Sequence, residues 1–251
     1  MFNPFSLEGK RILVTGASSG IGRGVAITCS KMGAQMVLNG RNQERLDETL
    51  SMLEGEGHLA VAADLSTQKG IDYLVEKCPV INGMVHCAGV LYIGMSKMVD
   101  REKLFDIMNV NACSPILMTS LLLKTKKIQK GSSLVFISSL SGVVIGGVGE
   151  VMYSATKGAL SGYVKTAALE LSSKSIRVNA ICPALVPTNL SREYHDIVPE
   201  DVLKSEISDK YPLKRMGTPN DVANASVFLL SEASSWITGI NLILDGGVTL
   251  K

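Results

Sequence analysis

Arg11-Ile12-Leu13-Val14-Thr15-Gly16-Ala17-Ser18-Ser19-Gly20-Ile21-Gly22 is the stretch from which the rest of the chain can be read. Its first half is a short β-branched and apolar run of strand type. Its second half sets three glycines around small polar residues, and a helix-like pattern continues to Met32. Glycine lets the backbone turn tightly and lets a pyrophosphate approach, while the free N–H groups and dipole of a helix start attract its negative charge. Glycines also serve ordinary turns, so it is the placement between a strand and a helix that gives this run its meaning.

Outward from that turn the same alternation repeats. A second strand is expected over 35–39, a helix over 43–53, a strand over 58–62, a helix over 68–77 and a strand over 83–87. A long helix follows over about 101–127, which Pro115 is placed to bend. Then come a strand over 133–138, a helix over 151–171, a strand over 176–181, a helix over 221–230 and a final strand over 241–244. Such repetition specifies α/β architecture: a single-domain Rossmann-type doubly wound parallel sheet with helices on both faces, spanning residues 1–251. The stretch from Ala184 to about Arg215 breaks the pattern with three prolines and mixed polarity. Ligands of such sheets bind at the carboxyl ends of the strands, so an insertion after a late strand is expected to act as a lid.

Composition narrows the function classes. The 251 residues are 46% apolar and carry a formal charge of +2, too small to gather nucleic acid or anionic membrane. Five cysteines, odd in number and set in apolar surroundings, read as reduced core thiols rather than a disulfide framework or a metal site. No metal is expected. The N-terminus lacks a basic start followed by a long apolar run, and the apolar stretches elsewhere are interrupted short of a membrane span. A cytoplasmic protein is the expectation.

Two further positions carry chemistry. At the end of the second strand an acid would bond a ribose 2′-hydroxyl, whereas an arginine would pair with a 2′-phosphate. The sequence here is Leu38-Asn39-Gly40-Arg41-Asn42, which favours NADPH over NADH. Tyr153 and Lys157 lie four apart on one helix face, following Ser138 and Ser139 at a strand end. A free tyrosine ionises near pH ~10. A lysine at ~4 Å would contribute about 4 kcal/mol at an effective dielectric of ~20, or roughly 3 pKa units, and so bring the phenol toward neutrality.

Taken together, the pattern resembles the short-chain dehydrogenase/reductase family from about Leu7 to Gly247. The matching pieces are Thr15-Gly16-x-x-x-Gly20-x-Gly22, Asp64-Leu65, Ala88-Gly89, Val110-Asn111, Ser139, Tyr153-x-x-x-Lys157, Pro183 with Thr188, and Asp245-Gly246-Gly247. The stretch over 211–223 is similar to the 3-oxoacyl-acyl-carrier-protein reductase branch. The resemblance implies that Tyr153 donates a proton to a carbonyl oxygen held by Ser139, that Lys157 holds the nicotinamide ribose, and that Asn111 anchors a water in a proton relay. It implies cofactor contacts along Gly16, Ser18, Ser19, Gly20, Ile21 and Gly22, at Arg41, Asp64, Leu65, Ala88 and Gly89, and at Tyr153, Lys157, Pro183 and Thr188.

Two departures stand out: His86-Cys87 where the family usually begins Asn-Ala-Gly with asparagine, and Pro183-Ala184 where it has Pro-Gly. His86 reads as a structural replacement. The candidate substrate walls Leu91, Tyr92, Ile93, Leu140, Val143, Ile145, Leu185, Leu190 and Tyr194 are mostly apolar and suit an aliphatic or alicyclic carbonyl. The expected reaction is NADPH-linked reduction of a ketone, with a 3-oxoacyl thioester as leading substrate and an acyl carrier protein as a possible partner. A steroid, a polyol or another secondary alcohol is the rival substrate class, and an NADPH-binding regulator with little turnover is the rival of another kind. The basic run Lys124, Lys126, Lys127 and Lys130 reads as a complement to a helix end rather than a docking patch. Relatives commonly form tetramers through the two long helices, so a homotetramer is expected, with Ala155, Gly158, Ala159 and Gly162 permitting close approach.

Overall fold

The computed structural model describes residues 2–188, 207 and 209–250. Strands β1 (Arg11–Thr15), β2 (Gln35–Gly40), β3 (Leu59–Ala62), β4 (Ile81–His86), β5 (Ile128–Ile137), β6 (Arg177–Pro183) and β7 (Asn241–Leu244) form one parallel sheet in the order β3-β2-β1-β4-β5-β6-β7. The β-branched and apolar content of these strands follows from their burial on both faces. Strand order reverses between β1 and β4, which pair in parallel from Ile12 opposite Gly83 to Thr15 opposite His86. A reversal of that kind opens a crevice at the carboxyl ends of the two strands.

Helices cover both faces. On one, α1 (Gly20–Lys31), α2 (Gln43–Ser51) and a late helix over Pro219–Leu230 bury Val25, Ala26, Leu46, Val222 and Val227 against the sheet. On the other, α3 (Gln68–Lys77), α5 (Ser114–Lys124) and α6 (Val151–Leu171) bury Leu74, Met118, Leu160 and Val164 around Phe136. The late helix, α7 here, starts on a capping box in which Thr218 and Asp221 satisfy each other's backbone. Arg215 grips the same Asp221 through two bonds of 2.7 and 2.9 Å.

The expected long helix over 101–127 is broken. It comprises α4 (Arg101–Met108), a π-helical turn over Asn109–Cys113, and α5. Pro115 stands in the first turn of α5, where no N–H is required, and it has none to give to the carbonyl of Asn111 four residues back. The distortion therefore falls ahead of the proline, on Asn111. By length and composition alone the run Arg101–Lys124 could cross a membrane. Its Ile107, Asn111, Met118, Thr119 and Leu122 are instead buried in the protein.

β5 begins five residues earlier than its apolar pattern, because Gln129, Lys130 and Gly131 are exposed and polar or glycine yet still lie in the strand. The lysine run acts across elements rather than on its own helix. Lys127 Nζ donates to the carbonyls of Val75 (2.5 Å), Glu76 (2.9 Å) and Cys78 (2.5 Å), closing the carboxyl end of α3.

His86 is buried at the end of β4, with its ring stacked on Phe136 at 4.5 Å and Nε2 3.1 Å from Thr119 Oγ1. Since the Thr119 hydroxyl donates to the Pro115 carbonyl, it can accept only, and the imidazole is the donor. Burial lowers the His86 pKa to about 3, so the ring is neutral in the folded chain. The folded-state pKa lies below the unfolded value, so this site's contribution is complete above about pH 6.5 and is lost as the pH falls below it. Urea unfolding should show the wild type losing about 3 kcal/mol more than His86→Asn between pH 7 and pH 4.

Candidate active site

The glycine turn sits at the reversal. Gly16 and Gly20 hold φ of 66° and 52°, a region that side chains other than glycine resist. A Cβ on Gly16 would come 2.9 Å from the Ala88 nitrogen, and one on Gly22 would collide with the Gly16 carbonyl. The turn is pinned on both sides. Thr15 Oγ1 accepts from the N–H groups of Cys87 and Ala88 at 3.1 and 3.2 Å, and the Ala17 N–H donates to Asn39 O at 2.8 Å. Ser19, the N-cap of α1, makes no side-chain cap bond, so its first N–H groups are left for another acceptor.

A cleft of about 300 Å³ opens on this turn. Of the residues singled out in the sequence, it gathers Gly16, Ser18, Ser19, Gly20, Ile21, Gly22, Arg41, Asp64, Leu65, Ala88, Gly89 and Thr188. Arg41 is exposed at its edge and forms no ion pair or hydrogen bond with the described residues. Pro183 is buried at the end of β6 and does not line the cleft. Asn39, Gly40, Ala63, Ser66, Cys87, Val90, Tyr92, Asp106 and Val110 complete the lining. Several of these are the immediate neighbours of motif residues, and that adjacency was their one signal in the sequence. Asp106 had none, since it enters from a helix surface and accepts a 2.7 Å bond from the Tyr92 hydroxyl.

Ser139 follows β5, while Tyr153 and Lys157 lie on the first two turns of α6. The Ser139 side chain acts on the Tyr153 phenol, and the Ser141 N–H donates to Ser139 Oγ at 3.2 Å. Lys157 is 5% exposed, and its ammonium lies 5.3 Å from the Tyr153 ring centroid and donates to the Ile137 carbonyl at 2.9 Å. The expected acidification of the phenol by this ammonium is not what the structure shows. Burial pushes the Tyr153 pKa up to about 12, against a smaller lowering by the Ser139 side chain. The same burial brings Lys157 down to about 8, with the charge directed at a backbone carbonyl instead of the phenolic oxygen. The serine, tyrosine and lysine are brought together as expected, and their resting electrostatics differ from the expectation.

The Asn111 side chain is committed to the segment after β4. It is wholly engaged with Val90, accepting from the N–H and donating to the carbonyl, both at 2.8 Å, with a weaker contact of 3.3 Å to Thr156 Oγ1. It therefore clasps the segment after β4, and the side chain is not free to anchor a water. Among the expected substrate walls, Leu140 belongs to the buried core, whereas Ile93 and Ile145 are exposed at 38% and 47%. Leu190 and Tyr194 lie outside the described residues, as does most of the expected lid over 184–215. Ala184 stands where the family has glycine without holding a positive φ, and its N–H donates to Leu244 O at 3.0 Å.

A family model described as enoyl-(acyl carrier protein) reductase matches residues 16–249, which takes in the glycine turn, the cleft and the serine, tyrosine and lysine. The chain belongs to the short-chain dehydrogenase/reductase family. Members similar to it include the uncharacterised oxidoreductase YmfI of Bacillus subtilis, 35% identical over 95% of this chain and 98% of that protein. The oxidoreductase UcpA of Escherichia coli K12 is likewise 35% identical, over 97% of this chain and 96% of its own. A crystal structure from Agrobacterium tumefaciens, provisionally assigned as a 2-deoxy-D-gluconate 3-dehydrogenase and holding NADP, superposes with a TM-score of 0.88 at 29% identity over the whole of both chains. These short-chain dehydrogenase/reductase relatives are oxidoreductases of several kinds, and the seven-stranded sheet found here is the architecture they share.

Proposed function

We propose that the protein is an NADPH-dependent carbonyl reductase that converts a ketone to a secondary alcohol. The observation that carries this reading is the gathering of Ser139, Tyr153 and the buried Lys157, whose ammonium lies 5.3 Å from the Tyr153 ring centroid, in a chain whose glycine-lined cleft includes an arginine unpaired among the described residues. The turn fits a dinucleotide: glycines at positions 16 and 22 leave no room for side chains, and the start of α1 is uncapped. Gly16 to Gly22 would take the pyrophosphate, Arg41 the 2′-phosphate, Asp64 and Leu65 the adenine side, Ala88 and Gly89 the middle, and Pro183 and Thr188 the nicotinamide side. Bound there, the cofactor supplies the hydride.

The chain's own groups supply the rest. Ser139 holds the substrate oxygen, and Tyr153 gives that oxygen its proton as charge develops. A phenol whose pKa stands near 12 is protonated at neutral pH, the state that reduction requires, and an alkoxide is basic enough to take its proton. Lys157 would hold the nicotinamide ribose and resupply the proton. The backbone carbonyl of Asn111, which Pro115 cannot engage, would serve a water relay in place of the committed side chain.

The leading substrate class is a 3-oxoacyl thioester. The similarity over 211–223 supports it, and the family model is described by a reductase of another acyl-carrier thioester. Five free thiols, one of them the exposed Cys113, suit a reducing cytoplasm. Self-association through α5 and α6 is supported by exposed Leu117, Val151 and Leu169, and by Gly162, where an added Cβ would meet nothing within 4 Å.

Steady-state NADPH oxidation with a panel of 3-oxoacyl thioesters, steroids and simple ketones tests the activity. Binding without turnover across the panel would instead indicate a regulator. Tyr153→Phe should lower kcat by about 10³-fold while leaving NADPH affinity within a few fold. Arg41→Asp should shift the NADPH/NADH preference in kcat/KM by at least about tenfold toward NADH, and an unchanged preference would refute the 2′-phosphate assignment. In sedimentation velocity the wild type should run as a tetramer and Gly162→Trp as a smaller species.

A further inference from the structure

A charged group that the proton-transfer set does not use stands beside it. Glu150 directly precedes α6 and lies three residues before Tyr153, which places both on one side of the helix start. A glutamate in that position ordinarily serves its own helix as a cap or as a complement to the dipole. Here it makes no cap bond to α6. The carboxylate turns instead onto the loop after β5 and accepts a short hydrogen bond from the Ser141 hydroxyl. Ser141 donates its N–H to Ser139 Oγ, so the carboxylate stands two hydrogen-bonded links from the Ser139 hydroxyl. The carboxylate's charge reaches the reacting phenol, where it adds to the upward pressure on the Tyr153 pKa.

The carboxylate lies over a glycine. A Cβ at Gly147 would collide with Glu150 Oε2, so a side chain there would require the carboxylate to shift. No lysine or arginine among the described residues pairs with Glu150. The nearest active-site cation, on Lys157, is spent on the Ile137 carbonyl.

Resting on the carbonyl-reductase reading above, we infer that Glu150 determines substrate charge. It selects against an anionic group next to the reacting carbonyl, such as a free 3-oxo acid. It admits neutral esters, thioesters and hydroxyl-bearing ketones, whose donors it can bind.

The test is the ratio of kcat/KM for two ketones of equal chain length at the reacting end, ethyl acetoacetate and acetoacetate, measured with NADPH on the wild type, Glu150→Gln and Glu150→Asp. The wild type should favour the ester by about tenfold or more, Glu150→Gln should narrow that ratio by about tenfold, and Glu150→Asp should keep most of it. A general structural lesion would depress both substrates together and leave the ratio alone. An unchanged ratio in Glu150→Gln overturns the inference while leaving the reductase reading standing. Should Glu150→Gln fail to fold, the wild type carries the same test, since the ratio should narrow between about 0.01 and 1 M salt as the charge is screened, and a flat ratio overturns the inference. Failure of the wild type to reduce either ketone or any of the panel while still binding NADPH overturns the reductase reading, and this inference with it.

Discussion

Close approach of backbone to backbone at the junction of β1 and β4 is the constraint on which the rest depends. Gly22 sits against the Gly16 carbonyl and Gly16 against the Ala88 nitrogen, so the first turn of α1 is driven down between the two strand ends. That proximity does three things at once. It fixes where α1 begins, it aims unpaired N–H groups into the crevice, and it lets the Thr15 hydroxyl bind both strands' ends together through Cys87 and Ala88. Bulk at either glycine would separate the halves of the sheet at the one place where the topology leaves a gap.

Around that junction the two faces of the sheet perform different work. The face covered by α1, α2 and α7 holds the glycine turn and Arg41, and its core is aliphatic. The opposite face holds α5 and α6, and its core admits polar groups near the site: His86, Thr119, Thr156 and Asn111 are all buried there. Each has a partner, as burial demands. Asn111 is the hinge of this arrangement, because the π turn that carries it leans its amide over to Val90 and so fixes the wall between the cleft and α6.

Much of this was legible in the residues. The alternation of strand and helix, the glycine turn and the 151–171 helix were read at or near their observed bounds, because period and burial agree there. The first part of β5 was hidden, since Gln129 to Gly131 are exposed and carry no apolar signal. The break at Asn109–Cys113 was hidden too, as a proline's effect on the turn ahead of it depends on what the freed groups find in space. Spacing brought Tyr153, Lys157 and Ser139 together correctly. It failed on their electrostatics, because spacing says nothing of the carbonyl at Ile137 that holds the ammonium or of the depth at which the phenol lies. Glu150 escaped notice for a related reason: an acid ahead of a helix has an ordinary explanation, and only the bond to Ser141 removes it. Lys127 was placed on the wrong helix end because sequence proximity favours its own helix over α3.

The missing cap at Ser19 has an outcome beyond recognition. A helix whose opening amides point into a crevice is completed only by whatever anion settles there, so the loaded and empty chains differ in how firmly they are folded. At a free ligand level a hundredfold above Kd, mass action alone adds about 2.7 kcal/mol to the native state. For a protein with such a site, resistance to unfolding would rise and fall with the level of the phosphorylated ligand.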